Sequence, residues 1–128
     1  ACGFIMNRTI TKSERLAAKF EAEAETNVLP WGASVYQPFD IIVNATSLSL
    51  HGVLPPIERG AVRPASICYD LMYGADTDIF TSWARGAGAA RVSDGLGMLV
   101  EQAAEAFYLW HGVRPATGPV IQELRESF

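Results

Sequence analysis

Cysteine is nearly missing from these 128 residues: Cys2 and Cys68 are the only two, too few for a disulfide framework or a paired-thiol metal motif. A reducing, cytoplasmic setting is the expectation that follows. Histidine is as scarce. His51 and His111 lie far apart with no ligand pattern near either, which argues against a metal centre. No apolar run approaches the ~20 residues that span a bilayer, and the start lacks the pattern of a secretory signal. Positive charge is in short supply too: ten Lys and Arg against fourteen Asp and Glu leave a net charge of -4, which speaks against general affinity for nucleic acid or an anionic membrane. An anion site, if there is one, must be local. Only two lysines occur, Lys12 and Lys19. There is no initiating Met, and Ala1-Cys2-Gly3 runs straight into a strand-like segment, as though another segment precedes it.

What the chain does have is ordinary globular material, 49% apolar and 19% charged, in the length range of one domain. "GFIMN", residues 3–7, reads as a short buried strand. Thr11 and Glu14 have capping-box spacing and predict a helix from about Ser13, with Leu16, Ala17, Phe20 and Ala24 on its apolar face, fading around Glu25-Thr26-Asn27. "VLPW" suggests a short strand, and "DIIVNAT", 40–46, a second buried one. The proline-containing stretch 47–66 reads as mostly loop with one helical turn, followed by a third strand, "ICYDLMY", at 67–73. Residues 76–85 predict a helix capped by Asp76 or Thr77, facing inward with Ile79, Phe80 and Trp83 and stopped by Gly86 and Gly88. After a short strand, "ARVSD", a long helix is expected from Gly97 to Gly112, with Leu99, Val100, Ala103, Ala104, Phe107 and Trp110 at helical period. A last helix, "PVIQELRESF", follows Pro115.

Strands alternating with helices imply a Rossmann-like, doubly wound α/β fold with a parallel sheet, which binds ligands beyond the carboxyl ends of its strands. Those ends are Asn7-Arg8-Thr9, Asn44 to Ser47, Asp70 to Tyr73 and Ser93-Asp94-Gly95, expected to line one crevice. At the end of the second strand of a dinucleotide fold, a carboxylate accepts the ribose 2′-hydroxyl of NAD, whereas an arginine accommodates the 2′-phosphate of NADP. Asn7-Arg8 carries no carboxylate. Arg8, Lys12 and a helix N-terminus together make a phosphate cradle or, alternatively, a solvated basic helix start.

"GAGAAR", 86–91, has helix before strand, the reverse of a pyrophosphate loop, and reads as a helix stop. "GLGMLV", 95–100, precedes a helix but has Val100 in place of the third glycine, so it reads as a helix start near a ligand. His111 at a helix end complements the dipole. Ser47 and Ser49 lack a nucleophile-elbow context, and Trp83, Phe107 and Trp110 are expected in the core. Tyr73 and Gln102 are either ligand contacts or satisfied structural polar groups.

Taken together, "NRTITK", "DIIVNATSLSL", "ICYDLMYG" and "DGLGMLVEQAAEAFYLWHGVRP" resemble shikimate dehydrogenase, in this order and over nearly the whole chain. That resemblance implies NADPH-dependent reduction of 3-dehydroshikimate to shikimate in aromatic amino-acid biosynthesis. It also implies that residues 1–128 are a partial NADP-binding domain. Carried over by position, it assigns the NADP-phosphate motif to Asn7, Arg8, Thr9 and Lys12. Further cofactor contacts fall on Thr46, Ser47, Leu71 and Gly95, with Met98 near the nicotinamide. Tyr73 and Gln102 would reach bound shikimate.

The family's first strand with its glycine-rich loop, and its catalytic lysine and aspartate, have no counterpart in this sequence. Lys12 and Lys19 both fall on the first predicted helix and do not replace that lysine. The expectation is therefore a piece of such an enzyme, truncated at its first βα unit, without catalytic residues and without turnover by itself. An alternative from another class is a non-catalytic binding or interaction domain, whose uncovered apolar sheet surface favours self-association or pairing with a missing N-terminal part.

Overall fold

The computed structural model describes residues 2–74 and 77–128, so the Asp76 cap expected above lies outside the described residues. The chain forms two compact units, one of Ala1–Val35 with Pro56–Glu58 and the other of Tyr36–Pro55 with Arg59–Phe128.

In the first unit, β1 (Cys2–Met6) leads through α1 (Ile10–Lys19) to β2 (Glu25–Leu29), and the two strands pair in parallel from Cys2–Glu25 to Met6–Leu29. The helix begins a turn earlier than the capping-box spacing predicts. Thr9 is its N-cap residue without a side-chain cap bond, so Thr11 and Glu14 sit inside the helix and cap nothing. The Asn7 side chain makes the turn instead: its Oδ1 accepts from the Thr9 amide at 2.8 Å, an Asx turn that ends the strand and starts the helix. The second correction concerns residues 20–29. The Glu- and Ala-rich sequence suggests helix to Asn27, but α1 stops at Lys19 and Glu25–Leu29 is strand. Pairing with β1 outweighs the weak local helix preference of "EAEAE".

The second unit is a three-stranded parallel sheet in the order β3-β4-β5, made of Phe39–Asn44, Val62–Asp70 and Arg91–Ser93. Single turns of 3-10 helix, Leu48–His51 and Arg59–Ala61, punctuate the β3–β4 connection. Helix α2 (Ile79–Ala87) joins β4 to β5, and α3 (Leu96–His111) and α4 (Gly118–Glu126) follow. The α/β class and its parallel strands are those expected.

Strand β4 is longer at its start and shorter at its end than predicted. Proline at 64 argues against strand there, yet the ladder accommodates it through a register shift: Phe39 pairs with Val62 and Ile41 with Ile67, so β4 absorbs three more residues than β3 over this stretch. The buried Ser66 hydroxyl pins this bulge, accepting from the Arg63 amide at 2.9 Å and donating to the Phe39 carbonyl at 2.5 Å. At the other end β4 stops at Asp70, which leaves Leu71 to Tyr73 beyond the strand.

The core lies on one face of this sheet. Ile42 and Cys68 pair side by side, and Phe80, Ala84, Leu96, Val100 and Ala104 are buried from α2 and α3. Full burial of a side chain the size of Phe80 or Leu96 stabilises by about 1.5–3 kcal/mol each. Cys68 is fully buried, and desolvation raises its thiol pKa, so it behaves as an inert small hydrophobe. On the opposite face Ile41, Val43 and Ile67 remain exposed. Gly88, at φ 94°, ends α2 in the left-handed conformation as predicted, whereas Gly86 lies inside the helix.

Two core expectations are corrected. Trp110 is 78% exposed and Phe107 43%, while Trp83 is only half-buried against Phe80. The helical period of α3 is real, but burial follows it only over the first half of the helix: Leu96, Val100 and Ala104 are covered and the distal turns are not.

Candidate functional site

In the first unit the end of β1 presents Asn7, Arg8 and Thr9, and α1 brings Lys12 one turn on. Arg8 and Lys12 are exposed, and among the described residues neither has a carboxylate partner. The first turn of α1 has no side-chain cap and no acidic residue, so its free amides and the two cations form a local positive end in an acidic chain. Arginine offers a planar fork that suits a phosphate, and lysine a compact charge beside it.

In the second unit the carboxyl ends of β3 and β4 are locked together by a buried polar network. Asn44 and Asp70 are register partners, 4% and 0% exposed. The Asn44 amide donates to Asp70 Oδ2 at 3.1 Å and to Ser49 Oγ at 3.1 Å, and the Ser49 hydroxyl donates to the same Asp70 oxygen at 2.6 Å. The Met72 amide fills Asp70 Oδ1 at 2.9 Å. No cation meets this carboxyl among the described residues; three donors satisfy it, as a buried polar group requires.

The same network reaches outward. Asn44 Oδ1 accepts from the Thr46 amide at 3.1 Å and the Thr46 hydroxyl at 2.8 Å, and Thr46 Oγ1 accepts from the Leu48 amide at 3.3 Å. The Leu71 amide donates to the Asn44 carbonyl at 2.9 Å, extending the strand pairing by one bond past Asp70. Thr46, Ser47 and Leu71 therefore sit on backbone whose path is fixed from beneath, with Ser47 exposed at the rim.

Gly95 closes this arrangement. Its amide donates to the Met72 carbonyl at 3.1 Å, and a Cβ at this position would come within 2.7 Å of the Leu71 carbonyl carbon, so only glycine permits the approach. From this turn α3 rises, with Met98 43% exposed and Gln102 exposed along it. Asp94, just before the turn, accepts from the Leu96 amide at 3.3 Å and takes a two-pronged bond from Arg125, at 2.8 Å on each oxygen. That hydrogen bonding holds the Asp94 carboxyl below its ordinary value and raises Arg125. Tyr73 is 37% exposed, with its ring 6.1 Å from that of Phe128.

The structure thus joins Thr46, Leu71 and Gly95 through a continuous set of bonds in the second unit, with Ser47 adjacent. It contains Asn7, Arg8, Thr9 and Lys12 in the first. Among the contacts of the described residues, none joins Tyr73 to Gln102. The sequence carries no signal for Arg125, and it places Asp70 at a crevice end without showing the bonds that Asp70 makes to Asn44 and Ser49. Ser49 was set aside as a poor nucleophile, yet its role is to hold Asp70. The legible signal was a polar residue at the end of each of two buried strands, Asn44 and Asp70, which in a parallel ladder meet as neighbours. Among the described residues no group of three or more His, Cys, Asp or Glu has metal-ligand proximity, and no helix is long and apolar enough to cross a membrane.

Residues 95–125 match the family model described as the Shikimate 5'-dehydrogenase C-terminal domain. The chain is 48% identical over 123 residues to the shikimate dehydrogenase (NADP(+)) of Cellvibrio japonicus, covering 96% of this chain and 45% of that protein. It therefore spans less than half the length of the curated relatives it matches. Among solved structures, the shikimate 5-dehydrogenase of Thermus thermophilus in complex with NADP(H) and shikimate aligns with a TM-score of 0.78 at 26% identity, over 98% of this chain and 46% of that one. The ligand-free 5-ketofructose reductase of a Gluconobacter species aligns with a TM-score of 0.86 at 29% identity, over 100% and 48%.

Proposed function

We propose, for a chain that belongs to the shikimate dehydrogenase family over the part of those enzymes it spans, that it supplies NADP selection, the nicotinamide pocket and one side of the substrate groove. The whole enzyme would reduce 3-dehydroshikimate to shikimate with NADPH in a cytoplasmic setting. The observation that carries this reading is Arg8 at the end of β1, free of any carboxylate partner among the described residues and followed by Lys12 on an uncapped helix turn. A 2′-phosphate fits that place and an unadorned ribose has no acceptor there.

NADP(H), when bound, supplies or accepts the hydride. The chain's own residues bind and orient. Arg8 and Lys12 neutralise the 2′-phosphate, and Asn7 and Thr9 shape the turn that presents them. Thr46, Ser47, Leu71 and Gly95 offer a surface fixed by the Asn44–Asp70 network, with Gly95 letting backbone approach closely and Met98 lying one helical turn beyond. Tyr73 and Gln102 would orient shikimate or 3-dehydroshikimate. This chain contributes no proton-transfer pair, and we expect no turnover from it alone; NADP-dependent shikimate oxidation by the isolated chain would overturn that.

Calorimetric titration with NADP and NAD tests the cofactor reading. NADP is expected to bind more tightly than NAD, and Arg8→Ala to erase the difference; equal affinities in the unaltered chain, or no binding, would sink it. A second reading, an interaction module without catalysis, draws on the exposed strip of Ile41, Val43 and Ile67 and on the exposed Leu109 and Trp110 at the end of α3. Absent NADP binding combined with self-association in sedimentation would favour that reading.

A further inference from the structure

Helix α4 contributes no buried side chain, yet polar bonds and one ring contact fix it at several points. Ahead of it, Arg114 forks onto Glu105 of α3, and the Thr117 hydroxyl donates to Glu101 at 2.7 Å. Near its end, Arg125 grips both oxygens of Asp94 at 2.8 Å, and just past it the Phe128 ring lies 6.1 Å from Tyr73 at an interplanar angle of 56°. An exposed helix held this way adds little hydrophobic stabilisation. Its two terminal contacts fall on Asp94, which immediately precedes Gly95 and caps the Leu96 amide, and on Tyr73 in the irregular segment after β4.

The geometry of each contact fixes direction as well as distance. A planar guanidinium bound to both carboxylate oxygens leaves Asp94 little freedom to turn, and Asp94 in turn sets where the first turn of α3 begins. A tilted ring pair at this separation favours one orientation of Tyr73 over its alternatives.

We propose that α4 is a strap that presets the site: Arg125, acting through Asp94, positions the Gly95 turn on the cofactor side, and Phe128 positions the Tyr73 ring on the substrate side. Both are positioning residues. The inference rests on the reading of Gly95 and Tyr73 given above, and it deepens that reading by adding two residues distant in sequence from every motif that suggested the site.

The test uses the 128-residue chain with Arg125→Ala, Arg125→Lys, Phe128→Ala and Phe128→Tyr, titrated with NADP by calorimetry and followed by NMR of the Gly95 amide and of labelled tyrosine rings. Arg125→Ala should weaken NADP binding about tenfold and shift the Gly95 amide while the Tyr73 ring signals stay in place. Arg125→Lys keeps the charge without the fork and should recover only part of the affinity. Phe128→Ala should move the Tyr73 ring signals and disturb NADP binding less than Arg125→Ala does, and Phe128→Tyr should restore the ring signals. A split of this kind supports the strap, because general structural support would move both readouts together in both variants. Equal weakening in the two alanine variants with parallel falls in Tm, or NADP affinity unchanged by Arg125→Ala, would overturn it. If the unaltered chain bound no NADP, the site reading would fall first and this inference with it.

Discussion

Between the unit of β1, α1 and β2 and the unit of β3 to β5, burial is divided very unequally. The first buries one side chain, Ser13, whose hydroxyl has no hydrogen-bond partner; the second holds every buried apolar side chain among the described residues and the Asn44–Ser49–Asp70 network. A lone pair of strands has marginal independent stability, whereas three strands with a helical cover have enough. The lesson is a division of labour between charge and shape. The phosphate recognition proposed for Arg8 and Lys12 would need cations on flexible stems and little support behind them. A turn that admits no Cβ, as at Gly95, needs a surface that does not yield.

The contrast can be broken most forcefully in the core. Phe80→Ala removes a ring that is 1% exposed and should cost about 3–5 kcal/mol, whereas Leu16→Ala, at a position 45% exposed on α1, should stay within about 0.5 kcal/mol. Denaturant midpoints read both, and similar losses would mean that the first unit is packed far better than its exposures indicate.

A smaller effect sharpens the account of the network. Ser49→Ala takes one of three donors from the buried Asp70 carboxyl and should destabilise by about 1–3 kcal/mol. The accompanying loss of order should appear as faster amide exchange at Thr46 and Met72, not at Thr9. Uniform acceleration would show that the network is no more local than the core itself.

Smallest is the acid response of Asp94. Arg125 hydrogen-bonds its carboxyl and lowers its pKa from an ordinary value of 3.8, so the unfolded chain holds that proton more tightly than the folded one. The pair's stabilisation is therefore complete above about pH 4 and is lost as pH falls through the depressed value. With Arg125 half exposed, the whole effect should be at most about 1 kcal/mol, and Arg125→Ala should flatten that part of the stability–pH curve. An unchanged slope would mean that solvent screens the pair entirely.

Much of the second unit was legible because its strands are continuous apolar runs and its helices end at glycines, signals that local chemistry alone produces. At the Arg8 junction the residues alone left a phosphate cradle and a solvated helix start side by side, and Gly95 was singled out through the family resemblance, its close approach to Leu71 being visible only in the fold. The start of α1 was misplaced because two placements of a cap compete over three residues, and the Asn7 side chain decides between them only once the strand end is in position. The short strand expected at "VLPW" meets β2 only at Val28 and Leu29; its first residues were hidden because "EAEAETN" carries helix-forming residues, and their strand identity comes from β1, a partner more than twenty residues away. The early start of β4 depends on Ser66 tying down a bulge around Pro64, a long-range bond that no local window contains. Exposure of Phe107 and Trp110 has the same origin: a helical period tells which residues share a face, not how much of that face the rest of the fold covers.

The close approach of Gly95 to the Leu71 carbonyl has a practical consequence for anyone wishing to redesign the cofactor preference. A mutational library spread over positions 8 to 12 explores solvent-exposed side chains and should retain mostly folded members. One that includes position 95 will spend every residue choice except glycine on chains whose added Cβ collides with the Leu71 backbone. Selection for new specificity should therefore leave that codon untouched, and its invariance among the survivors of a screen would itself report that the turn had been kept.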